Sequence, residues 1–167
     1  MWNRLYDFQK DGVKSAIQKI EKFSGCIIAD SVGLGKTYEA LGVIKYYELK
    51  NARALVICPK KLSKNWTVYQ GINSQETNPF KKDRFAYTVL YHTDMGRNSG
   101  ASGANNIDLA GFDWSAFDLV VIDESHNFRG NPEIKEKSSG VVMNRAAWLM
   151  EKIKDLFSNY RCDKLKT

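Results

Sequence analysis

The stretch Ile27–Ala40, IIADSVGLGKTYEA, joins a short apolar run to a glycine-rich turn and then to the start of an apolar-faced helix. The general phosphate-loop pattern, G-x-x-x-x-G-K-[ST], would place glycine at position 30, and this chain has Asp30 there. The rest of the pattern is present. Gly33, Leu34 and Gly35 offer backbone N–H groups in a turn tight enough to approach an anion, with a helix N-terminus behind them. Lys36 is expected to contact the β- and γ-phosphates of a nucleotide, and the Thr37 hydroxyl to ligate Mg²⁺.

Working outward, the segment before this stretch reads as a helix from about Phe8 to Lys22, with Asp7 as N-cap and Val13, Ala16, Ile17 and Ile20 on one face. A second helix is expected from Lys36 to Lys50, stopped by Asn51. Apolar runs recur at GCIIAD, ALVICP (Ala54–Pro59), AYTVLYH (Ala86–His92) and DLVVIDE (Asp118–Glu124), and three of the four are short and continuously apolar, as for strands of a mainly parallel sheet buried on both faces. Helical patterns alternate with them at Lys61–Gln70 and at Asn144–Phe157, where Ala146, Leu149, Met150, Ile153, Leu156 and Phe157 share a face. That alternation predicts an α/β domain with helices on both faces of the sheet. Asp94–Gly111, rich in Gly, Ser and Asn, is expected to be a mobile loop, and RGNPEIKEKSSG an exposed polar segment. Trp2, Trp66, Trp114 and Trp148 are read as packing residues, and His92 either ends a strand or sits beside a ligand.

A hydrolase of nucleotides needs a second, acidic site after another buried strand. LVVIDESH supplies it: Asp123 for the metal and Glu124 for the attacking water.

Composition bounds these readings. A chain of 167 residues, 43% hydrophobic and 26% charged, suits one globular domain. No run approaches a membrane span, so no membrane partner is expected. The N-terminal MWNRLYDFQKDG lacks an apolar secretory core. Cys26, Cys58 and Cys162 have no metal-ligand spacing, and buried reduced thiols fit the cytoplasmic location expected. The net charge of +6 is compatible with a polyanionic partner.

Together these residues resemble the first RecA-like lobe of a superfamily 2 helicase of the Swi/Snf-like translocase group. ADSVGLGKT is similar to that group's motif I, A-D-E-x-G-L-G-K-T, in which Asp30 is the group's own residue and Ser31 replaces the usual Glu. DESH, Asp123–His126, resembles the D-E-x-H form of motif II, and the resemblance implies that His126 couples hydrolysis to the other lobe and to nucleic acid. LYDFQKDGV, Leu5–Val13, resembles the adenine-recognising L-R-P-Y-Q-x-x-G-V with Tyr6 and Asp7 in place of Arg and Pro; there Gln9 would read the adenine edge. ALVICPKKLSKNW is similar to motif Ia, which implies that Lys60, Lys61 and Lys64 lie along nucleic-acid phosphates. VLYHTDMGR and IDESHNFRG further resemble bacterial members whose longer chains can carry a phospholipase-D-like nuclease module.

The resemblance implies a P-loop NTPase using ATP and Mg²⁺, with duplex DNA as the nucleic-acid partner. No S-A-T or T-A-T tripeptide follows motif II, and the chain ends before a second RecA-like lobe. Residues 1–167 are therefore expected to be one ATP-binding lobe of a longer chain, weakly binding nucleotide and slowly hydrolysing it when alone. Two other classes fit part of the pattern: a P-loop kinase of a small metabolite, and a nucleotide-gated protein-binding scaffold. A D-E-x-H after a buried strand is not expected of the kinase.

Overall fold

The structure is a computed structural model, and it describes residues 1–29, 33–71, 78–128, 134–137, 140–144 and 147–152. Asp30, Ser31, Ala146, Cys162 and the predicted helical residues 153–157 lie outside them. The chain divides into two compact units, Met1–Ala54 with Lys64–Tyr87, and Leu55–Ser63 with Thr88–Thr167.

The first unit is built on two helices, α1 (Asp7–Phe23) and α2 (Lys36–Glu48). The start of α1 differs from expectation by one residue. Tyr6 is the N-cap, because the Gln9 side chain reaches back to accept from the Tyr6 N–H at 3.1 Å; Asp7 is the first helical residue. Its carboxyl is held below the usual range by a hydrogen bond from Lys10. The helix closes at Ser24, in the left-handed region at φ 60°. Helix α2 is buried along most of its middle, through Glu39, Ala40, Leu41, Gly42, Val43 and Ile44, and the chain leaves it through Asn51 at φ 63°.

The two helices approach closely because glycines stand at the contact. A Cβ at Gly42 would lie 2.6 Å from Val13 Cγ2, and one at Gly12 would lie 2.9 Å from the buried Glu39 carboxylate. Val13 is 1% exposed and stiff about its first torsion, so it has nowhere to retreat. Gly42→Ala is expected to destabilise the unit by about 1–3 kcal/mol from overpacking, only partly offset by the ~1 kcal/mol gain in helix propensity. A lowered melting midpoint by circular dichroism checks it.

The second unit carries a three-stranded sheet of β1 (Ala54–Cys58), β2 (Thr88–Tyr91) and β3 (Leu119–Ile122), in the order β2-β1-β3; Ala54 itself belongs to the first unit. β1 is buried along its whole length and pairs with β2 in parallel, from Leu55 opposite Thr88 to Cys58 opposite Tyr91. A central strand with both edges occupied and both faces covered needs the continuous apolar run that ALVIC supplies. Around it, Leu55, Ile57, Leu90, Met95, Leu109, Trp114 and Phe128 form a buried core.

Several expectations are corrected. Residues 25–29 form no strand: Ile27 is 82% exposed and no ladder pairs this run among the described residues. An apolar run without a pairing partner stays irregular. The expected helix Lys61–Gln70 is a 3-10 turn at Lys60–Leu62 and then α3 (Lys64–Thr67), after which Gln70 leaves to bridge Phe85 and donate to the Tyr87 carbonyl at 2.8 Å. Trp66 and Trp114 are packed inside as expected, whereas Trp2 is 44% exposed.

The Gly/Ser/Asn-rich loop is tied to the core rather than loose. Asp94, 1% exposed, accepts from the Tyr91 N–H at 2.9 Å, Ser102 Oγ at 3.0 Å and Arg97 Nη1 at 3.2 Å. Three donors satisfy the buried carboxylate, and Met95 and Leu109 are drawn under the loop. In RGNPEIKEKSSG, β4 (Ile134–Lys137) pairs antiparallel with β5 (Gly140–Met143), which starts at the segment's last residue, because ladder bonds are backbone bonds and polar side chains do not preclude them. Residues 147–152 are helical.

Candidate nucleotide site

The glycine-rich turn lies in the first unit. Gly35 caps α2 at φ 82°, and Gly33 has φ 89°, both in the region that glycine enters without strain. The Gly35 carbonyl accepts from the Tyr38 N–H at 2.7 Å, so Lys36 and Thr37 stand in the first turn of the helix, each half-buried. Backbone N–H groups at this end have no intrahelical acceptor, and the helix dipole adds to their attraction for an anion.

Gln9 has a place that its sequence motif did not suggest. It is 3% exposed, its Nε2 donates to the Leu34 carbonyl at 3.0 Å, and its Oε1 accepts from Tyr6. A Cβ at Gly35 would lie 2.5 Å from that same Nε2. Gln9 thus clamps the turn to the start of α1. Nearby, Tyr6 and Phe8 are exposed and stack with ring centres 5.9 Å apart.

The acidic pair Asp123 and Glu124 lies in the second unit, at the end of β3. The Asp123 N–H donates to the Ile57 carbonyl at 2.9 Å, which carries the end of β3 alongside β1. Glu124 follows at φ 52°, a conformation that costs a non-glycine residue about 1–3 kcal/mol and persists only where neighbours enforce it. Ser125–Phe128 then turns as a 3-10 helix, and the Asn127 N–H donates to the Glu124 carbonyl at 3.0 Å. Glu124 Oε2 lies 3.0 Å from His126 Nδ1, and both side chains are exposed. Asp123 is half-buried.

Cys58, at the end of β1, is buried and unpaired. Desolvation pushes its thiol up to about 12, with the nearby charges of Asp123 and Asp94 adding to the shift. It is a packing residue and not a nucleophile. Cys26, half-buried, is also unpaired, and its thiol is raised by burial.

The structure brings Gln9 together with Leu34 and Gly35, and Glu124 with His126. Lys60, Lys61 and Lys64 are each exposed, the first two on the 3-10 turn after β1 and the third opening α3. Thr37 in the first unit and Asp123 in the second each carry a hard oxygen donor of the kind Mg²⁺ takes, one a hydroxyl and the other a carboxylate. Among the described residues no cluster of three or more His, Cys, Asp or Glu is placed to hold a metal by itself. No helix among them is long and apolar enough to cross a membrane.

Residues 8–74 match the family model of the SNF2-related domain. The chain is 28% identical over 150 residues to the human (Homo sapiens) "DNA annealing helicase and endonuclease ZRANB3", covering 86% of this chain and 13% of that protein. It is 26% identical over 157 residues to the "SWI/SNF-related matrix-associated actin-dependent regulator of chromatin subfamily A-like protein 1" of Xenopus tropicalis, covering 89% of this chain and 15% of that protein. It is 30% identical over 126 residues to the "RNA polymerase-associated protein RapA" of Stutzerimonas stutzeri, covering 64% of this chain and 12% of that protein. No solved structure matches. The chain thus spans only a small part of the length of these relatives, and its likeness to them is that of a Swi/Snf-like superfamily 2 first lobe, with the SNF2-related domain matched over residues 8–74.

Proposed function

We propose that this chain is the ATP-binding lobe of a DNA-dependent ATPase of the translocase type, hydrolysing ATP with Mg²⁺. The observation that supports it most is the start of α2: Lys36 and Thr37 in its first turn, behind a Gly35 cap that Gln9 holds in place. That arrangement cradles phosphate. Gly33, Leu34 and Gly35 present N–H groups to the phosphates, and Lys36 adds a charge to the β- and γ-phosphoryl oxygens. Glu124 orients the attacking water and accepts its proton, while Asp123 and Thr37 would hold Mg²⁺. When bound, the ion neutralises charge developing on the phosphate oxygens.

The names of the relatives support DNA as partner, and the exposed Lys60, Lys61 and Lys64 supply cations of the type that phosphate backbones recruit. Residues 1–167 would act with a second RecA-like lobe, whose arginines are worth about 10³- to 10⁵-fold in rate in related phosphoryl transfer. By itself the chain is then a slow ATPase.

The test is nucleotide binding by calorimetry with Mg²⁺, and ATP turnover with and without duplex DNA, for wild type and Lys36→Ala. Lys36→Ala is expected to weaken binding about ten- to a hundredfold, the worth of a charge-assisted bond. Unchanged affinity would reject the phosphate-loop assignment. Turnover at full motor rates by these residues alone would reject the need for a second lobe, and metabolite phosphorylation in place of hydrolysis would favour a kinase.

A further inference from the structure

His92 closes β2, is 6% exposed, and is absorbed by none of the roles above. Its backbone N–H donates to the Cys58 carbonyl at 3.0 Å, which extends the β1–β2 ladder by one bond. Its ring then crosses the end of β1 and places Nε2 at 2.9 Å from the carbonyl oxygen of Asp123. A carbonyl oxygen only accepts, so Nε2 carries the proton and donates. The ring also packs against Phe128, whose ring centre lies 4.6 Å away at 63°. His92 is therefore held by a ring, a strand and one directed bond to the acidic turn.

That bond falls at a specific place. The Asp123 carbonyl belongs to the peptide linking Asp123 to Glu124, and φ of Glu124 is the rotation about the N–Cα bond leaving that peptide. Fixing the carbonyl fixes the plane from which Glu124 departs. The peptide before it is anchored by Asp123 N–H to Ile57, and the peptide after Glu124 by Asn127 N–H to the Glu124 carbonyl. The middle peptide is held by His92. Glu124 lies between these anchors at φ 52°.

We propose that His92 is a positioning residue for hydrolysis: by donating Nε2–H to the Asp123 carbonyl it holds Glu124 in its left-handed backbone conformation and so aims the carboxylate that orients water. This rests on the role given to Glu124 above. A 1 Å misplacement of a catalytic group costs about 10²-fold in rate. His92→Phe keeps a ring against Phe128 and loses the donor; His92→Gln offers an amide Nε2 at similar reach.

The experiment is single-turnover hydrolysis of Mg-ATP by the full chain in excess, with nucleotide affinity measured separately, for wild type, His92→Phe, His92→Gln and Glu124→Gln. The expected result is a rate about 10²-fold lower in His92→Phe, with affinity little changed, and most of the rate recovered in His92→Gln. A merely structural histidine would instead lower both quantities together, or neither. Wild-type rate in His92→Phe, or equal loss in both His92 variants, overturns the proposal. If Glu124→Gln turns over normally, the assignment of Glu124 itself is wrong; if it is inactive while His92→Phe is not, only the positioning role fails. Should His92→Phe not fold, two-bond ¹H–¹⁵N correlation on the wild-type imidazole decides: a protonated Nε2 sustains the proposal and an unprotonated one overturns it.

Discussion

Gly35→Ala is expected to abolish measurable nucleotide binding and to destabilise the first unit by about 2–4 kcal/mol, because two independent penalties fall on one methyl group. The first is backbone strain: Gly35 sits at φ 82°, where any Cβ crowds the following carbonyl. The second is steric. The new Cβ would lie 2.5 Å from Gln9 Nε2, and Gln9 is buried with both ends of its amide engaged, so moving it breaks the bond to Leu34. Gly33→Ala is the matched control, since its φ of 89° carries the strain while, among the described residues and apart from its chain neighbours, no atom lies within 4 Å of its Cβ. The difference between the two variants isolates the clamp. A Gly35→Ala, Gln9→Ala double variant should recover the steric part and leave the strain, as a thermodynamic cycle by thermal melting would show. Equal losses for Gly33→Ala and Gly35→Ala would mean that Gln9 does not clamp the loop.

What the sequence disclosed about this region, and what it hid, follows from the range of each interaction. The start of α2 at Lys36 was legible because a glycine-rich turn, a lysine and an apolar-faced helix are local signals. β1 and β3 were legible as apolar runs long enough for a strand and too short for a helix. The Gln9–Leu34 bond spans 25 positions and the His92–Asp123 bond 31, and no local pattern encodes either. A signal for His92 did exist: a titratable residue closing one strand, with an acidic pair closing another. The composition of residues 94–111 pointed to mobility, but one buried carboxylate, Asp94, outweighs that composition by collecting three donors. Conversely, the run at 25–29 carried the apolar signature of a strand and lacks a ladder among the described residues, since pairing depends on a partner that hydropathy does not name.

The strained acidic turn and the glycine turn share one logic. In each, a buried polar side chain from another element fixes a peptide whose conformation ordinary residues avoid: Gln9 on Leu34 beside Gly35, and His92 on Asp123 before Glu124. Such conformations cluster where orientation matters more than stability. Glycine removes the strain in the first turn. In the second the role proposed for Glu124 calls for a carboxylate, so the strain stays and the surrounding bonds hold it.

Glu124→Gln is accordingly expected to reduce ATP turnover about 10²- to 10⁴-fold, the usual worth of a positioned general base, while nucleotide affinity stays near wild type. Glutamine has the same length, so the backbone bonds through Asp123 and Asn127 that set φ at 52° are untouched. An amide still orients water by hydrogen bonding but no longer accepts its proton at neutral pH. Stability should change little. The carboxylate meets His126 at 3.0 Å, and the two side chains are 42% and 52% exposed, where ion pairs contribute at most about 1 kcal/mol. Lys36 supplies the contrasting variant: in its proposed role its charge meets the phosphates in the ground state, so Lys36→Ala is expected to lose affinity first, whereas Glu124→Gln is expected to lose rate with affinity intact. Burst kinetics with calorimetric binding separates the two. A Glu124→Gln variant that loses affinity and keeps its rate would assign the carboxylate to binding and move the proton acceptor elsewhere.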